Sequence, residues 1–273
     1  MSQVAAEFPS DVPDQPELIS SVREGDLVWI TIERPDVLNC LSFPTLKRFR
    51  ELLEELREDL SIRCILITGA GDKAFCAGAD LKERKCMPAE RVPDFVRNIR
   101  GLMDDVARMP QPTLAVIGGF AFGGGTELAL ACDLRVCAPH AVMGLTEVSL
   151  GIIPGAGGTQ RLPRLIGKSR AKDLILTGRR VEAQEAERIG LVNLVSGEEG
   201  LRAAALSIAE KIAGNGPVAV RAAKSAVDEG SEMGIQEGLA HEAVCYGRIL
   251  DTEDRLEALA AFAEKRKPVF KGC

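Results

Sequence analysis

Two glutamates beside glycine clusters are the residues of this sequence best suited to proton-transfer chemistry. Glu127 follows three consecutive glycines at residues 123–125, and Glu147 stands twenty residues later, ahead of a second glycine cluster at residues 155–158. Glycine lets a backbone approach a ligand closely, and the first N–H groups of a helix point outward without an intrahelical partner. Such N–H groups next to two carboxylates could stabilise an oxyanion and move protons within one pocket.

Each glutamate also has a simpler explanation when it is taken alone. A glutamate in the first turn of a helix complements the positive end of the helix dipole, so Glu127 fits a helix start as well as it fits a catalyst. Glu147 lies in a polar loop and fits an ordinary surface position. Only the combination of the two favours a catalytic interpretation.

The elements that must position these residues alternate between strand and helix. Hydrophobic patterning predicts strands at residues 26–33, 63–68, 113–117, 133–137 and 190–195, with helices at 46–60 and 89–108 and a short apolar helix over 128–131. Beyond residue 197 it predicts only helices, near 200–213, 217–229, 234–250 and 252–265. Strands that alternate with long helices indicate parallel βα units. We therefore expect a flexible acidic arm over residues 1–18, an α/β core with the active site over 19–197, and a helical region over 198–273.

The composition argues against several classes of protein. Hydrophobic residues make up 46% and charged residues 27%, as in an ordinary globular protein, and the net charge of −6 disfavours a nucleic-acid surface. No apolar run reaches the roughly 18 to 20 residues that a membrane span needs. Residues 1–18 contain four acidic residues and no Lys or Arg, unlike a signal peptide or a mitochondrial leader. We expect a cytoplasmic protein.

Cofactor and metal motifs are not met. The eight cysteines form no CxxC pair, and the only histidines, His140 and His241, are far apart in the sequence, so we expect reduced thiols and no metal site. The GKS at residues 167–169 has Leu162 where a P-loop needs glycine, and neither GxGxxG nor GxSxG spacing occurs. A nucleotide cofactor and a serine nucleophile are therefore not predicted.

Three motifs in order resemble the crotonase superfamily of enoyl-CoA hydratases and isomerases. They are FCAGADLKE at residues 75–83, GGGTELALACD at 123–133 and EVSLGIIPGAGGTQRLPR at 147–164. The resemblance extends from about residue 27 to residue 272. It implies an α/β spiral of repeated ββα units with a C-terminal helical trimerisation region, and a homotrimer or a dimer of trimers.

The same resemblance implies reversible syn addition of water to a 2-enoyl-CoA. It assigns an oxyanion hole to the backbone N–H groups of Ala79 and Gly124, and a catalytic pair to Glu127 and Glu147. The helix dipole near Glu127 favours its ionised form and therefore a role as base, with Glu147 as the donor of the proton to Cα. This division of roles stays open, because paired carboxylates titrate together. The resemblance also implies that the substrate's coenzyme A portion, which is no separate cofactor, contacts six residues. These are Arg34, Val37, Ala77, Lys82, Phe262 and Lys265. For Phe262 and Lys265, which a neighbouring subunit could supply, ordinary core and surface roles stay open.

Three alternatives remain at this point. The chain is especially similar to the methylglutaconyl-CoA hydratase branch, whose acidic acyl chain would need a basic partner such as Arg84, Lys85, Arg97 or Arg100. Isomerase chemistry is typical of superfamily members that lack one of the glutamates. RNA binding, known in one branch of the superfamily, is disfavoured because residues 46–60 carry more acidic than basic side chains.

Overall fold

The computed structural model of the chain describes residues 8–273, and this part folds into two β-sheets with helices packed around them. The strands are β1 Ile19–Glu24, β2 Leu27–Ile32, β3 Cys64–Gly69, β4 Ala74–Cys76, β5 Thr113–Ile117, β6 Phe120–Phe122, β7 Leu134–Cys137, β8 Val142–Gly144, β9 Val181–Glu182 and β10 Leu194–Val195. The α-helices are α1 Phe43–Arg57, α2 Leu81–Cys86, α3 Val92–Ala107, α4 Gly124–Ala131, α5 Gly158–Ile166, α6 Lys168–Thr177, α7 Ala183–Arg188, α8 Leu201–Ala213, α9 Pro217–Gly230, α10 Ile235–Gly247 and α11 Glu253–Ala263.

The larger sheet has six strands in the order β1-β2-β3-β5-β7-β10. Only β1 runs antiparallel to its neighbour, and the pairs from β2 to β10 are parallel. β3 and β5 are continuous apolar runs because both faces of the sheet are covered. Alanines of α8 pack on one face together with Trp29, Leu66 and Val116, and the main core lies on the other face.

The smaller sheet carries the loops that matter for chemistry. Its order is β4-β6-β8-β9, with β4, β6 and β8 parallel. Each of these three strands follows a strand of the larger sheet and precedes a helix, so β3-β4-α2, β5-β6-α4 and β7-β8-α5 repeat a ββα order. The carboxyl ends of β4, β6 and β8 therefore bring residues 77–79, 123 and 145–147 to one side of the molecule.

Most predicted elements are present, with shifted ends. The strand predicted at residues 113–117 is β5, and the four helices predicted beyond residue 197 are α8 to α11. The strand predicted at 190–195 is reduced to Leu194–Val195, because the N–H groups of Leu191 and Val192 donate to the carbonyl of Ala186 in the turn after α7. α4 begins at Gly124, so two of the three glycines belong to the helix instead of preceding it.

Part of the predicted arm lies against the core. Residues 1–7 are outside the described residues. Beyond them, Phe8 packs on the core, Val12 is buried, and the carboxylate of Asp11 accepts from Arg91 of the 3-10 turn before α3 at 2.8 and 2.9 Å. The division of the chain at residues 18 and 197 stays a prediction.

The helices of the C-terminal region leave large apolar side chains in solvent. α9 and α10 pack on each other, and Lys224 of α9 reaches the core through an ion pair to Asp133 at 2.6 Å. The exposed side chains on α9 to α11 include Val227, Ile235, Leu239, Val244, Tyr246, Leu256, Leu259 and Phe262. None of the helices within residues 8–273 is long and apolar enough to span a membrane.

Candidate active site

The loop after β4 and the start of α4 bring two backbone N–H groups together. Leu41 donates to the carbonyl of Gly78 at 2.8 Å, and Asp80 donates back to Leu41 at 2.9 Å, which fixes the peptide around Ala79. A β-carbon on Gly124 would lie 3.7 Å from the nitrogen of Ala79. A β-carbon on Gly78, whose φ is +95°, would lie 3.2 Å from the nitrogen of Gly124. The structure thus places the two predicted oxyanion donors side by side.

Both N–H groups are available to a ligand. Gly124 is the first residue of α4, where the N–H has no intrahelical acceptor. Among residues 8–273, neither the N–H of Gly124 nor that of Ala79 donates to a protein acceptor. Two adjacent free donors at a helix start form a site for a developing negative charge.

Glycine is required at this junction for two separate reasons. Gly123 has a φ of +51°, a left-handed conformation that side chains disfavour. Gly125 lies so close to β4 that a β-carbon would be 1.8 Å from the carbonyl oxygen of Cys76. Thr126 then ties α4 to the smaller sheet, because its hydroxyl donates to Ala121 at 2.6 Å and accepts from the N–H of Gly144 at 3.2 Å.

Glu127 of α4 is buried and held by the second glycine cluster. Its Oε1 accepts from the N–H groups of Ala156 and Gly158, both at 2.8 Å. Its side chain therefore does not cap its own helix. Burial raises the pKa of Glu127, while these two N–H groups and the charges of Arg161 and Arg100 oppose the rise. The sequence argument from the helix dipole omitted this cost of burial.

Glu147 opens the 3-10 helix Glu147–Leu150 and is only 9% exposed, which excludes a surface position. Its Oε2 is buried without a hydrogen-bond partner in the described part of the chain. Burial raises the pKa of Glu147 from 4.5 to about 7, and the nearby charge of Glu127 adds to the rise. Its Oε1 would be 3.3 Å from a β-carbon on Gly123, so this carboxyl adjoins the start of α4.

The two carboxyls thus occupy one region but have different partners. Glu127 has two N–H donors and two nearby guanidinium charges, which favour the ionised form. Glu147 has a buried oxygen without a donor, which favours the neutral form near pH 7. The pair can hold a base and an acid at the same pH beside the N–H groups of Ala79 and Gly124.

Of the six predicted coenzyme A residues, three lie next to the candidate oxyanion donors, and the other three are exposed on or directly after helices. Ala77 donates from its N–H to Leu38 at 3.0 Å, so Arg34, Val37 and Ala77 belong to one surface next to the candidate oxyanion donors. Lys82 is exposed in the first turn of α2.

Phe262 is 86% exposed on α11, so a core position for it is wrong. No hydrogen bond or ion pair joins Phe262 or Lys265 to the site within the described range.

Arg34 also has a structural task that the sequence did not predict. Its Nη2 pairs with Oδ2 of Asp80 at 2.9 Å, and its Nη1 donates to the carbonyl of Cys40. The other oxygen of Asp80 caps α2 by accepting from the N–H groups of Lys82 and Glu83. Burial raises the pKa of Asp80, but the Arg34 guanidinium and these N–H groups outweigh it and hold the pKa below its usual range. An aspartate directly before a helix is a common N-cap, but no feature of the sequence indicates that Arg34 pairs with it.

Of the four basic residues considered for the acyl pocket, the structure connects only Arg100 to the second glycine cluster. Its Nε donates to the carbonyl of Gly155 at 3.2 Å. Arg97 pairs with Asp94 on its own helix, and Arg84 lies over the ring of Phe95 at 5.4 Å. Lys85 is exposed. No group of three or more His, Cys, Asp or Glu side chains within residues 8–273 is arranged to hold a metal ion.

The ββα spiral with its C-terminal helices defines a crotonase-type α/β protein, and comparison with known proteins supports this class. The family model described as enoyl-CoA hydratase/isomerase matches residues 23–273. The chain therefore belongs to the enoyl-CoA hydratase/isomerase family, as the sequence motifs predicted.

Relatives at about half identity cover nearly the whole chain. A crystal structure of an enoyl-CoA hydratase from Bacillus anthracis matches with a TM-score of 0.92 and 50% identity, over 94% of this chain and 100% of that chain. The human mitochondrial protein named enoyl-CoA hydratase domain-containing protein 2 is 50% identical over 89% of this chain and 85% of its own length. The mouse mitochondrial methylglutaconyl-CoA hydratase is 46% identical over 97% of this chain and 87% of its own length.

Proposed function

We propose that this protein is an enoyl-CoA hydratase that adds water reversibly to a 2-enoyl-CoA and gives the 3-hydroxyacyl-CoA. The observation that carries the proposal is a pair of buried carboxyls next to two adjacent free N–H groups. Glu127 accepts from two N–H donors, whereas Glu147 has an oxygen with no partner within residues 8–273. Hydration of a conjugated thioester needs one group to accept a proton and another to deliver one. It also needs donors for the charge that develops on the thioester oxygen.

In the forward direction, ionised Glu127 takes a proton from water as the water oxygen bonds to Cβ. The electrons of the double bond move toward the thioester, and the N–H groups of Ala79 and Gly124 hold its oxygen, each contributing about 3 to 4 kcal/mol. Neutral Glu147 gives its proton to Cα on the same face. Glu127 then returns its proton to solvent, and Glu147 takes one up. No separate cofactor enters this scheme, because coenzyme A is part of the substrate.

The coenzyme A portion is proposed to bind along the surface formed by residues 34–37 and Ala77, with Lys82 near a phosphate. Phe262 and Lys265 would come from a neighbouring subunit. The exposed apolar side chains of α9 to α11 support assembly into a homotrimer or a dimer of trimers, because a monomer rarely leaves a large apolar patch in solvent. The test is sedimentation of the full chain, since a monomer at micromolar concentration contradicts this assembly.

Substitution of the two glutamates tests the reaction. We expect Glu127→Gln and Glu147→Gln each to lower hydration of crotonyl-CoA by at least about a hundredfold, because each role contributes roughly 10² to 10⁴ in rate. Loss of the enone absorbance measures turnover. Glu51→Gln, at an exposed position on α1, is the control and should match the wild type. Turnover of Glu147→Gln within threefold of the wild type would eliminate the proposal.

A narrower candidate is hydration of a branched, acidic acyl-CoA such as 3-methylglutaconyl-CoA. The contact of Arg100 with the loop beside Glu127 favours it, since this guanidinium could meet a second carboxylate. A panel of crotonyl-, decenoyl- and 3-methylglutaconyl-CoA distinguishes the candidates. A preference for the acidic substrate that Arg100→Gln abolishes supports the narrower one, and a preference for either neutral substrate opposes it.

A further inference from the structure

Arg100 of α3 and Arg161 of α5 both bond to the loop of residues 155–158 that holds Glu127. Arg100 donates to the carbonyl of Gly155 at 3.2 Å. Arg161 donates through Nη1 to the carbonyl of Ala156 at 3.1 Å and through Nη2 to Oδ1 of Asp104 on α3 at 2.8 Å. Arg100 and Asp104 are four residues apart, so one face of α3 supplies both contacts.

These contacts lead directly to the carboxylate. The carbonyl of Gly155 and the N–H of Ala156 are the two ends of one peptide group, so Arg100 bonds to one end while Glu127 accepts from the other at 2.8 Å. Hydrogen bonds arranged in such a chain polarise one another. Gly157 has a φ of +109°, and a β-carbon there would lie 2.1 Å from Nη1 of Arg161. The guanidinium therefore lies against the loop, in space that only glycine leaves open.

We propose that Arg100, Arg161 and Asp104 form a positioning cluster that orients the loop of residues 155–158 so that its N–H groups hold Glu127 ionised. The proposal rests on the function proposed above, in which Glu127 is the base. The charged groups that act on Glu127 are Arg161 from α5, Arg100 from α3 and Glu147 from the 3-10 helix. Arg100 and Arg161 act on Glu127 through the loop, and Asp104 acts through Arg161. All three members of the cluster are therefore positioning residues.

The test compares two arginines of the same helix. Arg164 lies on α5 three residues after Arg161 but pairs with exposed Glu232 at 3.0 Å instead of bonding to the loop. We expect Arg161→Gln to lower kcat for crotonyl-CoA by roughly tenfold or more with KM within twofold, because orientation of the base is lost. The acidic limb of its pH–rate profile should move to higher pH by about half a unit or more. The reason is that the positive charge of Arg161, which lowers the pKa of Glu127, is lost in this variant. Arg164→Gln should match the wild type in kcat, KM and pH profile.

A double-mutant cycle tests the role of Asp104. If Asp104 acts only through Arg161, Asp104→Ala should lower kcat severalfold in the wild type and cause no further loss in the Arg161→Gln background. Additive losses would overturn that part of the proposal. An unchanged acidic limb in Arg161→Gln, or an equal effect of Arg164→Gln, would overturn the whole. If Arg161→Gln fails to fold, Arg161→Lys, which keeps the charge but not the fork of donors, must show the same shift to a smaller extent.

Infrared difference spectroscopy separates this proposal from the proposed reaction. The carboxyl band that Glu127→Gln removes reports the titration of Glu127 in the free protein, without substrate. A higher midpoint in Arg161→Gln supports the cluster even if the wild type hydrates no enoyl-CoA. An unchanged midpoint rejects the cluster even if the wild type is an active hydratase.

Discussion

Replacing Glu147 with glutamine should stabilise the folded protein at alkaline pH, although it removes the proposed proton donor. Burial raises the pKa of this carboxyl from 4.5 to about 7, and its Oε2 is buried without a partner among residues 8–273. Between these two pH values the folded state binds more protons than the unfolded state. The free energy of unfolding therefore falls as the pH rises from about 4.5 through 7, and it levels off above that. At 25 °C the difference between the two pKa values corresponds to about 3 kcal/mol.

Urea unfolding at pH 4.5 and pH 8.5, followed by circular dichroism at one protein concentration, measures the effect. We expect Glu147→Gln to exceed the wild type by roughly 2 to 3 kcal/mol at pH 8.5 and to equal it within about 0.5 kcal/mol at pH 4.5, because glutamine is never ionised. Glu51→Gln, at an exposed site, should show no such difference. A gain of the same size at both pH values, or no gain at pH 8.5, would refute the argument from burial.

Four further substitutions test single contacts in the fold and near the site. Gly125→Ala should cost at least about 3 kcal/mol in urea unfolding or prevent folding, because its β-carbon would be 1.8 Å from a backbone oxygen. Gly151 has a φ of +73°, but no atom of residues 8–273 outside its chain neighbours lies within 4 Å of a β-carbon there, so Gly151→Ala should cost only about 1 kcal/mol. Arg34→Gln should lower kcat by about tenfold or more if Arg34 mainly fixes the turn that carries Ala79. A rise in KM for the thioester without a change in kcat would instead assign Arg34 to coenzyme A. Lys224→Met should destabilise the fold by about 3 kcal/mol, since it leaves the partly buried Asp133 without its cation, and an unchanged urea midpoint would contradict this.

The sequence predicted the elements whose patterns are long and apolar. β3 and β5 are unbroken hydrophobic runs, and α1 repeats its leucines at helical spacing, so each was recognisable without a structure. β1 was missed because four of its six residues are exposed and their identities show no alternation. β4, β6 and β8 have three residues each, which is too short for any period to emerge. The loops of the candidate site follow these short strands. The smaller sheet, which positions the site, was therefore the part of the fold that the sequence predicted least well.

The features of the candidate site also differ in how well the sequence predicts them. Features that depend on neighbouring residues in the chain were predictable, and features that depend on distant residues were not. The glycines beside Glu127 signal close backbone approach wherever they occur, and the family motifs add the positions of Ala79 and Glu147. The groups that set the proton preference of each carboxyl could not be predicted, because the donors to Glu127 come from residues 156 and 158. In the sequence, both glutamates are simply acidic residues near glycines. In the folded chain, Glu127 accepts from two N–H groups, whereas one oxygen of Glu147 has no hydrogen-bond donor within residues 8–273. Two identical side chains therefore differ in their preference for the proton because their hydrogen-bond partners differ. Substitutions that remove those partners should change this preference.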